Sequence, residues 1–201
     1  MCTSSGFTPS SHRRQILDWL AKDDRVDGSR AAFHRKVLVK ISTLADLYLD
    51  QLQDMHSSER QIIKALPKMV KAATHPELKA AFKGHLEETK EQLERLNRIL
   101  RDLGKGPGRK VCEATLGLVK EGSELIEADA DEEVRDAALI CAGQKIEHYE
   151  IASYGCLRTF ASLLGRNPDV KLLERTLNEE KNADESLTAI AMGVVNAAAA
   201  E

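Results

Sequence analysis

The sequence predicts an all-α fold in which four long helices form an antiparallel bundle, and three observations predict it. The chain has 201 residues, of which only 4% are aromatic, and it is rich in the helix-favouring residues Ala, Leu, Glu, Lys and Arg. Apolar residues recur at spacings of three, four and seven, which is the period of one helix face. Pro and Gly residues separate the periodic stretches by a short, a long and a short connection.

The first two periodic stretches predict a helical hairpin. One helix runs from about residue 43 to 73, and Pro67 is expected to kink it because proline removes a backbone donor. The next runs from about residue 76 to 103, with Pro76 in its first turn and Gly104 as a left-handed cap. The connection between them is only about three residues long, so the two helices are expected to be antiparallel neighbours.

The second half of the chain predicts another hairpin. A long helix begins near residues 129–133 and is closed by Gly165, and the N-cap Asn167 followed by Pro168 opens the fourth helix. About 28 residues separate the two hairpins and include a short helical segment at 112–127, which is long enough to return the chain along the bundle. Two helical hairpins joined by one long crossover are the topology of a ferritin-like bundle.

The predicted domain organisation has three parts. Residues 1–42 are a basic N-terminal extension, flexible or partly helical, residues 43–196 are the bundle domain, and residues 197–201 are a tail. The net charge of −3 combines +4 in residues 1–40 with −7 in the remainder. Nucleic-acid binding is therefore a hypothesis for the basic extension alone, because an acidic bundle repels polyanions.

Several classes of protein are excluded by what the sequence lacks. No apolar run reaches the roughly 18 residues of a membrane span, and the first residues lack the apolar core of a secretory signal, so we expect a cytoplasmic protein. The motifs GxxxxGK, GxSxG and GxGxxG are missing, which argues against nucleotide binding and nucleophilic catalysis. The four cysteines form no CxxC pair and are expected to be reduced thiols.

Each predicted long helix carries an acid on or beside its apolar face, close to the middle of the helix. Glu59, for example, lies four residues after Met55 and three before Ile62. Antiparallel packing would bring all of these acids to nearly one level, where ionised carboxylates cost several kcal/mol unless they are paired or bind cations. Two metal ions would compensate them. The candidate ligands are Glu59, Glu88, Glu147 and Glu180, together with His85 and Asp184.

The alternatives for individual residues stay open. A single acid at the edge of an apolar face is usually a solvated boundary residue, and His85 is either a ligand or a hydrogen-bonded core histidine. Glu147 is preferred to His148, because adjacent residues lie about 100° apart around a helix. Glu150, one turn after Glu147, also reaches this face but ranks below the four acids. Tyr154 is either a packed tyrosine or a partner of the site.

Seven stretches spread over all four predicted helices match the sequence pattern of a known family. They are Leu44–Leu52, Glu59–Met69, Pro76–Phe82, His85–Thr89, Ala137–Ile140, Lys145–Ala152 and Leu177–Lys181. Over about residues 42–192 the chain thereby resembles the YciE/YciF-like ferritin-like family, also called DUF892. The resemblance implies a dimeric ferritin-like bundle with a di-metal centre, in a bacterial group associated with stress responses.

The resemblance also assigns ligand positions, with one departure. Better-characterised ferritin-like relatives carry Glu on two helices and Glu-x-x-His on the other two. Glu59 and Glu147 match the single-Glu places, and Glu88 and Glu180 match the start of the paired places. The expected histidines are missing, since Glu91 and Ala183 occupy their positions.

Two functions follow from these patterns. The first is a protein with two metal ions, iron favoured over manganese, that react with oxygen or peroxide in an oxidase- or peroxidase-type reaction. The second is a non-enzymatic helical module that dimerises or binds a partner without metal. A homodimer is expected in either case, and a membrane partner is not.

Overall fold

The computed structural model describes residues 41–200, and no strand occurs within that range. The predicted basic extension therefore lies outside the described residues, apart from residues 41 and 42. The helices are α1 (Leu44–Ala72), α2 (Pro76–Asp102), α3 (Glu113–Glu127), α4 (Glu132–Leu163) and α5 (Asn167–Ile190), followed by a π-helical turn (Ala191–Val195) and the one-turn helix α6 (Asn196–Ala198).

The four long helices form an antiparallel bundle, as the sequence predicts. Helices α1 and α2 pack as one hairpin, α4 and α5 pack as the other, and contacts of α1 with α4 and of α2 with α5 close the bundle. The crossover contains α3, which packs against α1 and α4. Pro67 lies inside α1, which continues as one helix to Ala72. Within residues 41–200, no helix has both the length and the apolar content needed to span a membrane.

Most helix ends follow the predicted signals. Gly104 and Gly165 have φ angles of 65° and 70°, so each takes the left-handed conformation that ends a helix and that glycine adopts without strain. The predicted N-cap of α5 is wrong by one residue: Arg166 is the cap, and Asn167 is already helical. The Arg166 carbonyl accepts the Asp169 N–H at 3.0 Å, and the Arg166 side chain donates to the Asp169 carboxylate.

The interior consists of two apolar clusters separated along the bundle axis. Apolar cluster I contains, for example, Ile62, Phe82, Leu139 and Leu187. Apolar cluster II contains, for example, Leu52, Leu96, Leu157 and Leu173. On each long helix, titratable side chains lie between the residues of one cluster and those of the other. These side chains form the polar layer, defined by its residues Glu59, His85, Glu147, Glu150 and Glu180.

Buried hydrogen bonds fix the helices at both ends of the bundle. Asp136, near the start of α4, accepts the N–H groups of Thr74 and His75 at 2.8 and 2.7 Å and the Thr74 hydroxyl at 2.6 Å. At the opposite end, the Tyr48 hydroxyl donates to Asp169 at 3.0 Å. Asp136 therefore ties α4 to the turn that joins α1 and α2, and Tyr48 ties α1 to α5.

Removal of the Asp136 carboxylate should destabilise the bundle strongly. Hydrogen bonds to a charged group contribute about 1.5–3 kcal/mol each, and Asp136→Ala would leave the N–H groups of Thr74 and His75 without this acceptor. We expect the free energy of unfolding in urea to fall by about 3 kcal/mol or more. The matched control Asp129→Ala, at an exposed acid nearby, should change it by less than about 0.5 kcal/mol. Equal losses in the two variants would contradict the role assigned to Asp136.

Candidate metal centre

Every long helix contributes to the polar layer. Glu59 comes from α1, His85 from α2, and Glu180 from α5, while α4 supplies both Glu147 and Glu150. Residues three apart share a helix face, so the two α4 carboxylates point the same way. Glu59, Glu150 and Glu180 have no solvent-exposed surface, and Glu147 and His85 are 3% and 6% exposed. The layer is thus a buried group of four carboxyl groups and one imidazole.

The functional atoms of this layer converge. His85, Glu147, Glu150 and Glu180 each offer one nitrogen or oxygen atom, and these atoms all lie within 4.8 Å of one another. The His85 Nε2 lies 3.4 Å from the Glu147 Oε1 and 3.8 Å from the Glu180 Oε2. Glu59 adjoins this group, and its Oε1 accepts a short hydrogen bond from the buried Tyr154 hydroxyl. That bond leaves the Glu59 Oε2 free.

Most polar atoms of the polar layer make no hydrogen bond. Among the described residues, eleven buried side-chain nitrogen and oxygen atoms have no hydrogen-bond partner, and eight of them belong to these five residues. Both oxygens of Glu150 and of Glu180 and both ring nitrogens of His85 are among the eight. Buried polar groups in proteins are normally paired, so either retained protons or a bound cation must satisfy these atoms.

Glu179, next to Glu180 in the sequence, differs from the polar layer because other side chains of the bundle donate hydrogen bonds to its carboxylate. Glu179 accepts hydrogen bonds from both terminal nitrogens of Arg95, one of them at 2.8 Å, and another from Gln92 at 3.2 Å. Burial raises the pKa of Glu179, but these donors lower it by more. Glu180, one residue later, has no Arg or Lys among its ion-pair partners in the described part of the chain. Glu179 thus has a cationic partner that Glu180 lacks.

Burial shifts the protonation equilibria of the layer. It raises the pKa of Glu59 to about 7 and raises the pKa of Glu147. Burial together with the neighbouring carboxylates raises the pKa of Glu150 and of Glu180 well above the usual range. For His85 burial lowers the pKa, but Glu147 and other carboxylates raise it overall. Without a cation, the layer would therefore retain protons.

The remaining candidate ligands lie at the edge of the layer. Glu88 has a side chain that is 51% exposed, with its Oε2 3.7 Å from the His85 Nδ1. Asp184 accepts a hydrogen bond from Gln144 at 3.1 Å and pairs with the exposed His148 at 3.4 Å. These two acids are therefore less buried than the five residues of the layer.

Glu150 lies within the layer, although the sequence pattern favours the other four acids as ligands. Its spacing of three residues from Glu147 is the sequence feature that indicates its place on the same helix face.

The donor set is one that can hold a metal ion. Carboxylate oxygens suit manganese and related hard cations, and imidazole suits iron and other transition metals. The convergent group of His85, Glu147, Glu150 and Glu180 contains no thiolate. The free oxygens and ring nitrogens described above are the atoms that such ions bind. The five side chains are therefore suitable ligands for a metal centre.

Comparison with known proteins gives matches over most of the described chain. Residues 43–200 match a family described as "Domain of unknown function (DUF892)". Protein YciF of Escherichia coli K12 is 43% identical over 159 residues, which cover 79% of this chain and 96% of YciF.

Solved structures show the same similarity. The crystal structure of the E. coli stress protein YciF matches with a TM-score of 0.75 and 44% identity, covering 78% of this chain and 99% of that one. YcfI from Rhodopseudomonas palustris matches with a TM-score of 0.71 and 45% identity, covering 74% and 95%. A Xanthomonas campestris protein with 24% identity and a TM-score of 0.62, covering 77% and 95%, shares the fold.

The raised pKa values predict how the metal-free protein responds to pH. A carboxyl group whose pKa is higher in the folded state stabilises the protein below its unfolded pKa and loses that contribution as pH rises through its folded pKa. In the presence of a chelator, the free energy of unfolding in urea should therefore fall between about pH 5.5 and about pH 8, by at least ~1.4 kcal/mol, the equivalent of one pKa unit.

The isosteric variant Glu150→Gln tests the source of this loss. It removes one titrating group from the layer and should make the fall with pH smaller. The control Glu174→Gln, at a half-exposed surface acid, should behave like the wild type. A metal-free protein whose stability stays constant or rises over this range would contradict the assignment.

Proposed function

Because this chain belongs to the DUF892 family, we propose that its bundle holds two metal ions, iron in preference to manganese, and acts in oxidant or iron handling during stress. The observation that carries the proposal is the set of eight unpartnered polar atoms in the polar layer. The relative named a stress protein, E. coli YciF, supports the physiological setting. Iron is preferred because a given nitrogen and oxygen site binds Fe²⁺ more tightly than Mn²⁺.

Charge argues for two ions. The layer contains four carboxyl groups and no Arg or Lys, so full ionisation gives four negative charges that two divalent cations would neutralise. A single divalent cation would leave two buried negative charges uncompensated, and buried charges without partners cost several kcal/mol. In this proposal His85, Glu147, Glu150, Glu180 and Glu59 hold the pair.

In this proposal, the residues around the layer orient one ligand and exclude water. Tyr154 donates its hydroxyl proton to one oxygen of Glu59, which orients the carboxylate with its second oxygen free. Apolar clusters I and II exclude water on both sides of the layer. When bound, a pair of iron ions supplies the electrons that reduce oxygen or peroxide. The protein's part is to bind the ions, orient the ligands and keep the surroundings dry.

Metal content tests the proposal directly. Protein purified without a metal-affinity step should contain about two metal ions per chain by elemental analysis. The double variant Glu147→Gln/Glu180→Gln keeps the shape of the layer but removes two charges beside His85, and it should lose most of the metal. The control Glu174→Gln should keep it. Metal content that is unchanged in the double variant, or absent from the wild type, would overturn the proposal.

Thermal unfolding separates this proposal from a metal-free helical module. A ligand at 100 times its dissociation constant stabilises the folded state by about 2.7 kcal/mol, which corresponds to roughly 5–10 °C in a protein of this size. Anaerobic Fe(II) or Mn(II) should therefore raise the Tm of the chelator-treated protein, and Fe(II) should do so at lower concentration. A Tm that is indifferent to both metals would favour the metal-free module.

A further inference from the structure

A pocket between α2 and α5 leads from the surface to the polar layer. Its volume is about 210 Å³, and its walls include Gly84 from α2 and Ala183 and Ser186 from α5. His85 and Glu147 line the same pocket. Small side chains on both helices therefore leave an opening that reaches two side chains of the layer.

His85 lies between the pocket mouth and the other ligands. One ring nitrogen, Nδ1, is 3.7 Å from the carboxylate of Glu88, which is half-exposed and also lines the pocket. The other ring nitrogen, Nε2, is close to Glu147 and Glu180 in the interior. Although the His85 side chain is only 7% exposed, neither nitrogen has a hydrogen-bond partner. The imidazole thus presents one nitrogen to the pocket mouth and the other to the interior, each beside a carboxylate and without a hydrogen bond.

We propose that this pocket is the access route for divalent cations, which first bind between Glu88 and the His85 Nδ1 and then pass to the polar layer. This inference rests on the proposed function. An exposed carboxylate attracts cations, and attraction at the mouth of a cleft raises the rate of association. In this proposal, Glu88 binds the cation while it enters and is not a ligand of the ions held in the polar layer.

A larger groove elsewhere on the bundle does not offer such a route. It has a volume of about 1040 Å³ and runs along α3 and α4, where Gly117 is one of its lining residues. None of the five side chains of the polar layer lines this groove. The groove can therefore serve as the control in an experiment that obstructs each opening separately.

Two glycines, one in each opening, provide matched positions for this experiment. Gly84 and Gly117 both lie within helices, and a Cβ atom at either position would meet no atom within 4 Å apart from its own stretch of helix. Leucine also favours helices more than glycine does. The substitutions Gly84→Leu and Gly117→Leu should therefore fold normally while each places a bulky side chain in one opening.

The measurement is the rate at which chelator-treated protein takes up Co(II), followed by stopped-flow absorption, together with the amount bound at equilibrium. Gly84→Leu should lower the second-order rate constant by about tenfold or more and leave the final stoichiometry unchanged. Gly117→Leu should load at the wild-type rate. Ser186→Phe, which obstructs the pocket from the opposite wall, should reproduce the effect of Gly84→Leu.

Glu88→Gln tests the first binding step separately. It should lower the uptake rate severalfold and weaken its dependence on ionic strength, because salt screens attraction by an exposed charge. The equilibrium amount of Co(II) should not change. A lower final amount would make Glu88 a permanent ligand and overturn its assignment to loading.

The outcomes also separate this inference from the proposed function. If the wild type, Gly84→Leu and Ser186→Phe all load at the same rate and to the same extent, the route is wrong while the metal centre stands. If the wild type binds no Co(II), both are wrong. Slower uptake in Gly117→Leu than in Gly84→Leu would assign access to the larger groove instead.

Discussion

The structure depends on the charge balance of four carboxyl groups and one imidazole in the middle of a helical bundle. Ionised carboxylates so deeply buried need a compensating charge. Arg95, the nearby cation, pairs with Glu179 and not with the neighbouring Glu180. The remaining ways to neutralise the layer are bound protons and bound cations. Protons and cations would compete for the same oxygens at neutral pH, so the proposed metal binding would be coupled to protonation and to folding.

The rest of the bundle is packed and hydrogen-bonded through contacts that do not involve the layer. Apolar clusters I and II bury side chains from all four long helices on either side of the layer. The hydrogen bonds of Asp136 and Tyr48 hold the helix ends. The side chains of the polar layer are therefore positioned by contacts outside it, which is the condition that the proposed metal site requires.

The sequence predicts the helices well because each of them buries one periodic face, and glycine and proline mark most of their ends. Glu59, Glu147 and Glu180 are identifiable because they interrupt that face. Spacing alone does not show whether Glu88 and Asp184 point inward, because they lie at the edge of the apolar face. The direction of a side chain at that edge depends on the neighbouring helix. The contact between Tyr154 and Glu59 joins residues 95 positions apart, which no local pattern in one sequence reveals.

The attachment of Asp136 to the turn between α1 and α2 has a consequence for changes in chain length. Glu147 lies eleven positions after Asp136 in one continuous helix, a distance of about 16.5 Å at 1.5 Å per residue. A one-residue insertion or deletion in this interval would rotate both α4 carboxylates by about 100° and move them along the axis. The number of residues in this interval is therefore fixed by the contacts at its two ends.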